Sequence, residues 1–234
     1  MPSYPPTEVA APATIAIMQP YFIPYAGYFR LFAASDLFVI FDCVQFPRRG
    51  WVHRNRLIDA SGAERWLTLP LERAPRDALI RDLRFPPDAP ALLAQRLRAF
   101  SLDAQSRGID PQIIDAIRDA RGNAVDYLEQ LLGRVAAYLG LPWRIVRSSS
   151  FDIPRSVRGQ DRVLAVVRRL GAKRYINSPS GRSLYDPAVF EAAGVELGFL
   201  PAYSGPTSSI LTRIMNEDRH RLAEDIRTTA LFVR

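Results

Sequence analysis

Thr14-Ile-Ala-Ile-Met-Gln19-Pro20-Tyr21-Phe-Ile-Pro24-Tyr25-Ala-Gly27-Tyr28-Phe29 is followed closely by Asp42-Cys-Val-Gln45-Phe-Pro-Arg48-Arg49-Gly50-Trp51-Val-His53-Arg54-Asn55-Arg56. Between them lie a helical pattern from Tyr28 to Ala34 and an apolar run from Leu37 to Phe41. Ile15 to Met18 and Leu37 to Phe41 are continuous apolar runs, not alternating ones, which marks strands covered on both faces, as in a parallel sheet. The order is strand, loop, helix, strand, loop. In an open α/β sheet both loops leave the carboxyl ends of strands, where ligands bind.

Upstream, residues 1 to 13 carry Pro2, Pro5, Pro6 and Pro12 and read as a flexible arm. Downstream, Asn55 to Ile58 and Glu64 to Leu71 around the turn Asp59-Ala-Ser-Gly62 predict an antiparallel hairpin, with Ile80 to Phe85 as a third short strand. Three helical stripes follow, with Asp110-Pro111 and Gly122-Asn123 as starts. Strands are then predicted at Trp143 to Arg147, Lys173 to Asn177 and Gly194 to Leu200. Helices begin at Arg158 and Pro187, and surface helices span Ser208 to Met215 and Arg219 to Arg227. Two early and three late strands with intervening helices predict a Rossmann-like, doubly wound, mainly parallel α/β sheet. Residues 14–234 form one domain in this reading, with the hairpin and helical segment inserted at about 52–140.

The chain has 234 residues, 48% hydrophobic and 24% charged, ordinary globular values. Its charge of +7 is carried mostly by dispersed arginines, without the dense clusters of a nucleic-acid footprint, so no specific nucleic-acid binding is expected. A mild preference for phosphates and carboxylates remains. Cys43 is the lone cysteine and His53 and His220 the only histidines, which leaves no disulfide and no expected protein-built metal site. No signal peptide or run of about 18 apolar residues is present, and a soluble, cytoplasmic protein without membrane insertion is expected.

Tyr25-Ala-Gly27-Tyr28 has the spacing of the His-x-Gly-His signature of nucleotidyltransferases, with tyrosines for both histidines. A phenol donates a neutral hydrogen bond but cannot balance phosphate charge as imidazolium does. Gln19, Tyr21 and Tyr25 present polar tips on a strand-end loop; the competing reading makes the aromatics core residues. Asp42 ends a strand, where it can orient an amine, a ribose hydroxyl or a magnesium ion, or simply cap a helix or turn. Arg48, Arg49, Arg54 and Arg56 around Trp51, His53 and Asn55 combine guanidinium forks for phosphate or carboxylate with a stacking face, Gln45 adds an amide, and His53 can act as a base. The alternative is a solvated charged loop. Asn177, Ser178, Gly181 and Tyr185 lie between a strand and a helix, where amides and hydroxyls cradle phosphate.

These blocks also carry a family resemblance. The Met-Gln-Pro-Tyr-x-x-Pro-Tyr-x-Gly-Tyr-Phe opening, the Asp-x-Val-Gln-Phe-x-Arg-Arg-Gly-Trp block with Arg54-Asn55-Arg56, Trp66-Leu-Thr-Leu-Pro, Gly159-Gln-Asp-Arg-Val and Tyr175-Ile-Asn with Leu184-Tyr-Asp and Phe190 resemble the WbqC-like family over roughly residues 14 to 200. His53 stands where that family usually has Asn, and Ser180 where a first Gly is expected. The resemblance implies a transferase of O-antigen (lipopolysaccharide) and other surface-polysaccharide biosynthesis, labelled as a glycine or aminoacyl transferase on amino sugars; it brings no agreed catalytic residue and leaves the cofactor open. The expected substrates are a nucleotide-linked amino sugar and an acyl or aminoacyl donor. Arg48, Arg49, Arg54 and Trp51 would take the diphosphate and base. Asp42 would orient the amine, and Gln19, Tyr21 and Tyr25 the acyl group, with Tyr28 beside them. An ATP-dependent, adenylate-forming amide ligase and a non-catalytic binding or scaffold protein are the alternatives.

Overall fold

Ile15 and Ile17 project from one side of strand β1 (Thr14–Met18) and Ala16 from the other, and all three are buried. The computed structural model describes residues 11–100 and 109–231. β1 pairs in parallel with β2 (Leu37–Ile40) on one side and β6 (Arg174–Asn177) on the other. β5 (Ile145–Arg147) and β7 (Glu196–Phe199) extend the two edges, so the five parallel strands run β5-β2-β1-β6-β7. Tyr28, Leu31 and Phe32 of α1 (Ala26–Ala34) share one core with Ala16, Phe38 and Ile40. Val163, Val166 and Val167 of α5 (Gly159–Leu170) and Phe190 of α6 (Pro187–Ala192) share the other with Ile15, Ile17 and Val39. Helices cover both faces, as continuous apolar strands require. The fold is a Rossmann-like α/β fold.

β2 and β5 are neighbours in the sheet although a hairpin and α2 (Ala89–Leu97), α3 (Pro111–Arg118) and α4 (Ala124–Tyr138) separate them in sequence. The hairpin pairs β3 (Arg54–Ile58) with β4 (Glu64–Thr68), placing Arg56 opposite Trp66 and Ile58 opposite Glu64. Its turn is set by Asp59, whose Oδ1 accepts from the backbone N–H of Ser61 and Ala63, while Gly62 takes φ +84°. Asn55, Leu57 and Leu67 point inward and are buried, and Arg56, Ile58, Glu64 and Trp66 point outward. The predicted helix starts hold. The Asp110 side chain accepts from Gln112 N–H, and Asn123 accepts from Val125 and Asp126 N–H.

Several expectations change. Ile80 to Phe85 forms no strand. Ile80–Asp82 is a single 3₁₀ turn, and only an isolated bridge joins Arg84 to Asn123. Buried Ile80 and Leu83 are three residues apart, the spacing of a turn rather than of an alternating strand. The loop expected from Ser178 to Ser183 winds into a 3₁₀ turn at Pro179–Leu184, with Pro179 supplying the first fixed φ. α7 (Ile210–Asn216) and α8 (Arg219–Thr228), expected at the surface, bury Ile210, Leu211, Ile214, Leu222 and Ile226 in the α1 core. Arg30 of α1 is buried against them and donates from Nε to the Thr229 carbonyl at 2.8 Å and from Nη1 to that of Pro201 at 3.0 Å. Residues 1–10 of the expected arm lie outside the described residues. The Ala13 carbonyl accepts from Lys173 and Arg174 N–H.

Candidate functional site

β1 and β6 lie side by side but are reached from opposite directions in the strand order, and loops leaving such a pair part to form a crevice. A cleft of about 520 Å³ opens there. Its floor comes from Met18, Tyr21, Tyr25 and Tyr28, and one wall from Asn177, Ser178, Ser180 and Gly181. The hairpin side supplies Trp51, Asn55, Arg56 and Glu64, and Tyr203 with Thr207, Ser208 and Ser209 closes the remaining side.

The loop after β1 is held under strain. Ile23 has φ +40°, a conformation that costs a β-branched residue about 1–3 kcal/mol. Asn55 Nδ2 donates to the carbonyls of Phe22 (3.0 Å) and Ile23 (2.6 Å), and Ser209 Oγ donates to the Ile23 carbonyl at 2.8 Å. Phe22 N–H donates to Trp51 O, and Ile210 N–H to Pro24 O. The hairpin and the lead-in to α7 thus clamp the loop from both sides.

Tyr25 precedes α1, and its ring lies against Gly27, where a Cβ would come within 2.2 Å of it. Tyr28 is buried and donates to the Gln19 carbonyl at 2.9 Å. Burial raises the pKa of Tyr21, Tyr25 and, furthest, Tyr28 above the ordinary phenol value. At neutral pH these groups are neutral donors. Tyr203 packs 5.9 Å from Tyr25 and is fixed from behind by hydrogen bonds with Asp225 and Arg213. Gly27→Ala is expected to leave stability within about 1 kcal/mol, because alanine is the better helix former. The displaced Tyr25 ring would fill the cleft, so the variant should lose ligand-induced stabilisation in a melting assay.

On the opposite wall, Asn177 Nδ2 donates to Tyr175 Oη (2.8 Å) and Tyr185 Oη (3.0 Å), and its Oδ1 accepts from Ser178 N–H at 2.6 Å. Tyr185 therefore stands behind Asn177 and not in the cleft. A Cβ on Gly181 would come within 2.8 Å of Asn177 Nδ2, so glycine lets the 3₁₀ turn sit on the amide. Ser178 and Ser180 hydroxyls lie 2.9 Å apart at the cleft edge.

The basic aromatic loop divides. Trp51 lines the cleft and packs 5.5 Å from Trp66; the guanidinium groups of Arg54 and Arg56 lie 4.2 and 4.8 Å from the Trp66 ring centre. Arg56 Nη1 pairs with Glu64 Oε2 at 2.9 Å. Arg54 Nη2 donates to the Arg49 carbonyl, Arg48 Nη2 to that of Ala74, and Gln45 Nε2 to that of Arg76; none of Arg48, Arg49, Arg54 or Gln45 lines the cleft. Gln19 contributes only its carbonyl, to Tyr28. Of Asp42, Tyr25 and His53, expected to carry the chemistry, only Tyr25 lines it. Asp42 is buried and accepts from Ser148 Oγ, Ser149 N–H and Ser149 Oγ. Cys43 Sγ beside it accepts from Ser148 Oγ and Arg162 Nη1.

His53 packs edge-on against Phe46, and its Nδ1 is buried without a hydrogen-bond partner among the described residues. Burial, with a smaller contribution from the Arg54 charge, lowers its pKa from the ordinary 6.5 to about 4. The unfolded chain takes up this proton near pH 6.5 and the folded one near 4, so the associated stability is complete above the first value and lost as pH falls toward the second. His53→Phe should flatten the fall in urea midpoint over that window. An unchanged slope would show that His53 does not cause it.

Residues that sequence reasoning left out of the site are Glu64, Tyr203, Thr207, Ser208 and Ser209. Glu64 could have been found by extending the hairpin register from the arginines to their cross-strand partners. The 202–209 segment carries no comparable signal, since it follows the last strand and meets the cleft only through the packing of α7.

A family model described as the WbqC-like protein family matches residues 19–207, a span that holds the loops after β1 and β6 and the whole hairpin. The chain is also similar to the uncharacterized protein Rv1507c of Mycobacterium tuberculosis (strain ATCC 25618 / H37Rv). The two are 26% identical over 189 residues, covering 78% of this chain and 80% of the relative. No solved structure matches the chain.

Proposed function

The chain belongs to the WbqC-like protein family, and from that premise we propose that its cleft binds a nucleotide-linked amino sugar and that the protein transfers an acyl or aminoacyl group to the sugar amine. The observation that carries this reading is the lining itself. Neutral tyrosine, serine, threonine and asparagine groups, suited to sugar hydroxyls, meet one guanidinium, one carboxylate and one exposed indole at the rim. Arg56 takes the diphosphate and Trp51 stacks on the base or sugar. The amine nitrogen attacks the acyl carbon, the bond to the donor's leaving group breaks, and Glu64 receives the proton that the nitrogen loses. The tyrosine donors support the negative charge that builds on the acyl oxygen. Arg48, Arg49, Asp42 and His53 have no part in this scheme.

A second reading, a protein that binds such a ligand without turnover, is favoured by one observation. Glu64 is the one carboxylate lining the cleft among the described residues, and it is already paired to Arg56. Calorimetric titration with nucleotide amino sugars tests the shared premise. Arg56→Ala should weaken binding about tenfold, the loss of one charge-assisted contact. If no nucleotide sugar binds, both readings fail. Binding without amide formation from any activated donor leaves only the second.

A further inference from the structure

Five large apolar side chains stand exposed among the described residues; two of them lie on the hairpin and two line the adjoining cleft. Trp51 (44% exposed) and Leu184 (67%) line it from opposite sides; Ile58 (41%) and Trp66 (40%) lie on the outward face of the hairpin. Ile58 and Trp66 sit on facing strands and both stay exposed among the described residues. A soluble surface scatters such residues singly, whereas a rimmed cluster marks a docking surface.

The charge around this cluster is one-sided. Between Phe46 and Thr68 the sequence holds Arg48, Arg49, Arg54, Arg56 and Arg65 against Asp59 and Glu64. Both carboxylates are already paired, Asp59 with Arg65 at 2.5 Å and Glu64 with Arg56 at 2.9 Å. Arg48, Arg49 and Arg54 are left in surplus: among the described residues none of them is paired with a carboxylate, Arg48 and Arg54 donate to carbonyls, and Arg54 also lies over the Trp66 ring. Indole rings flanked by guanidinium groups, with aliphatic side chains beside them, match the boundary between acyl chains and anionic headgroups. A nucleic acid would leave Ile58 and Leu184 unmatched.

We propose that the outward face of the β3–β4 hairpin docks on an anionic lipid bilayer, seating Trp66 and Ile58 among the headgroups so that the cleft opens at the membrane surface. No helix among the described residues is long and apolar enough to cross a membrane, so the attachment is peripheral. Surplus arginines draw the protein in, and the apolar tips hold it. The face adjoins the cleft through Arg56 and Glu64, whereas Trp66, Ile58 and Arg54 do not line it, so the docking can be tested on those three apart from the sugar-transfer reading.

The test is co-sedimentation of the full chain with phosphatidylcholine vesicles, with and without phosphatidylglycerol, at low and high salt. Binding is expected only to the anionic vesicles and should weaken with salt. Arg54→Glu should lower the partition coefficient at least roughly fivefold, the effect of one basic residue at the surface. Trp66→Ala with Ile58→Ser should also lower it severalfold, while the variant keeps the parent's cooperative melting transition. Equal binding to neutral and anionic vesicles, or no binding, overturns the proposal. So does full retention by the Trp66→Ala, Ile58→Ser variant, which would reduce the effect to diffuse attraction by the net charge of +7. Tighter, Trp66-dependent binding to a single-stranded oligonucleotide would assign the face to nucleic acid instead.

Discussion

Asn55→Ala is expected to destabilise the protein by about 3 kcal/mol and to abolish ligand binding in the cleft. The side chain is buried and donates to the carbonyls of Phe22 and Ile23, while its own oxygen accepts from Arg56 N–H at 2.7 Å. Alanine leaves these buried backbone groups short of partners. It also removes one of the two donors that hold Ile23 at φ +40°. With that clamp gone the strain can relax, and the loop from Gln19 to Pro24 loses the path that places Tyr21 and Tyr25. A chain of this size should show a fall in melting temperature of roughly 8 °C. Ser209→Ala removes the second donor to Ile23 and should destabilise less, since it breaks one bond. The double variant should fall short of additivity by at least about 0.5 kcal/mol, because both side chains hold one carbonyl. Strict additivity would show that Ile23 is not held by the pair. Asn55 was legible as a site residue by its place beside Trp51 and the arginines, but its work is to hold the other loop.

Sequence carried the sheet further than it carried the site. Ile15 to Met18 and Leu37 to Phe41 are apolar without alternation, and that property, with the intervening helices, already implies a parallel sheet, in which a doubly wound order sets β6 beside β1. Once those strands are adjacent, Tyr21, Tyr25, Asn177 and Ser178 meet at their carboxyl ends by geometry alone. The third strand expected from Ile80 failed because three-residue apolar spacing suits a turn as well as a strand. Local pattern is also silent on which way a side chain turns at a strand end. Asp42 and Gln45 follow β2 as Gln19 and Tyr21 follow β1, yet Asp42 and Gln45 point away from the cleft. The basic cluster at Arg48, Arg49, Arg54 and Arg56 reads in sequence as a ligand grip, whereas on the folded hairpin only Arg56 of the four lines the cleft and Arg54 stacks on Trp66. Tyr203 and Ser209 depend on α7 and α8 packing against α1, a long-range contact with no local trace.

Asp42→Ala separates a structural carboxylate from a catalytic one. A carboxylate that oriented the acceptor amine would, on removal, lower turnover and leave the melting temperature nearly unchanged. Here the side chain is 1% exposed and its oxygens accept from Ser148 Oγ at 2.9 Å, Ser149 N–H at 2.9 Å and Ser149 Oγ at 2.5 Å. Ser148 Oγ is in turn the acceptor for Asp42 N–H at 3.1 Å and Cys43 N–H at 3.3 Å. The network therefore ties the end of β2 to the end of β5, an edge strand of three residues with few ladder bonds of its own. Alanine at position 42 leaves the N–H and hydroxyl of Ser149 without their acceptor in a partly buried setting, and Ser148 Oγ keeps only Cys43 Sγ as an acceptor. The expected loss is about 3–4 kcal/mol, with exchange protection falling first at Ile145–Arg147. Because the site lies on the far side of β1 from β5, nucleotide-sugar affinity of the folded variant should match the parent at a temperature well below the transition. An Asp42→Ala protein with parental stability and lost binding would place the carboxylate back in the site. The expected converse makes β5 docking, and not amine recognition, the reason for an aspartate at the end of β2.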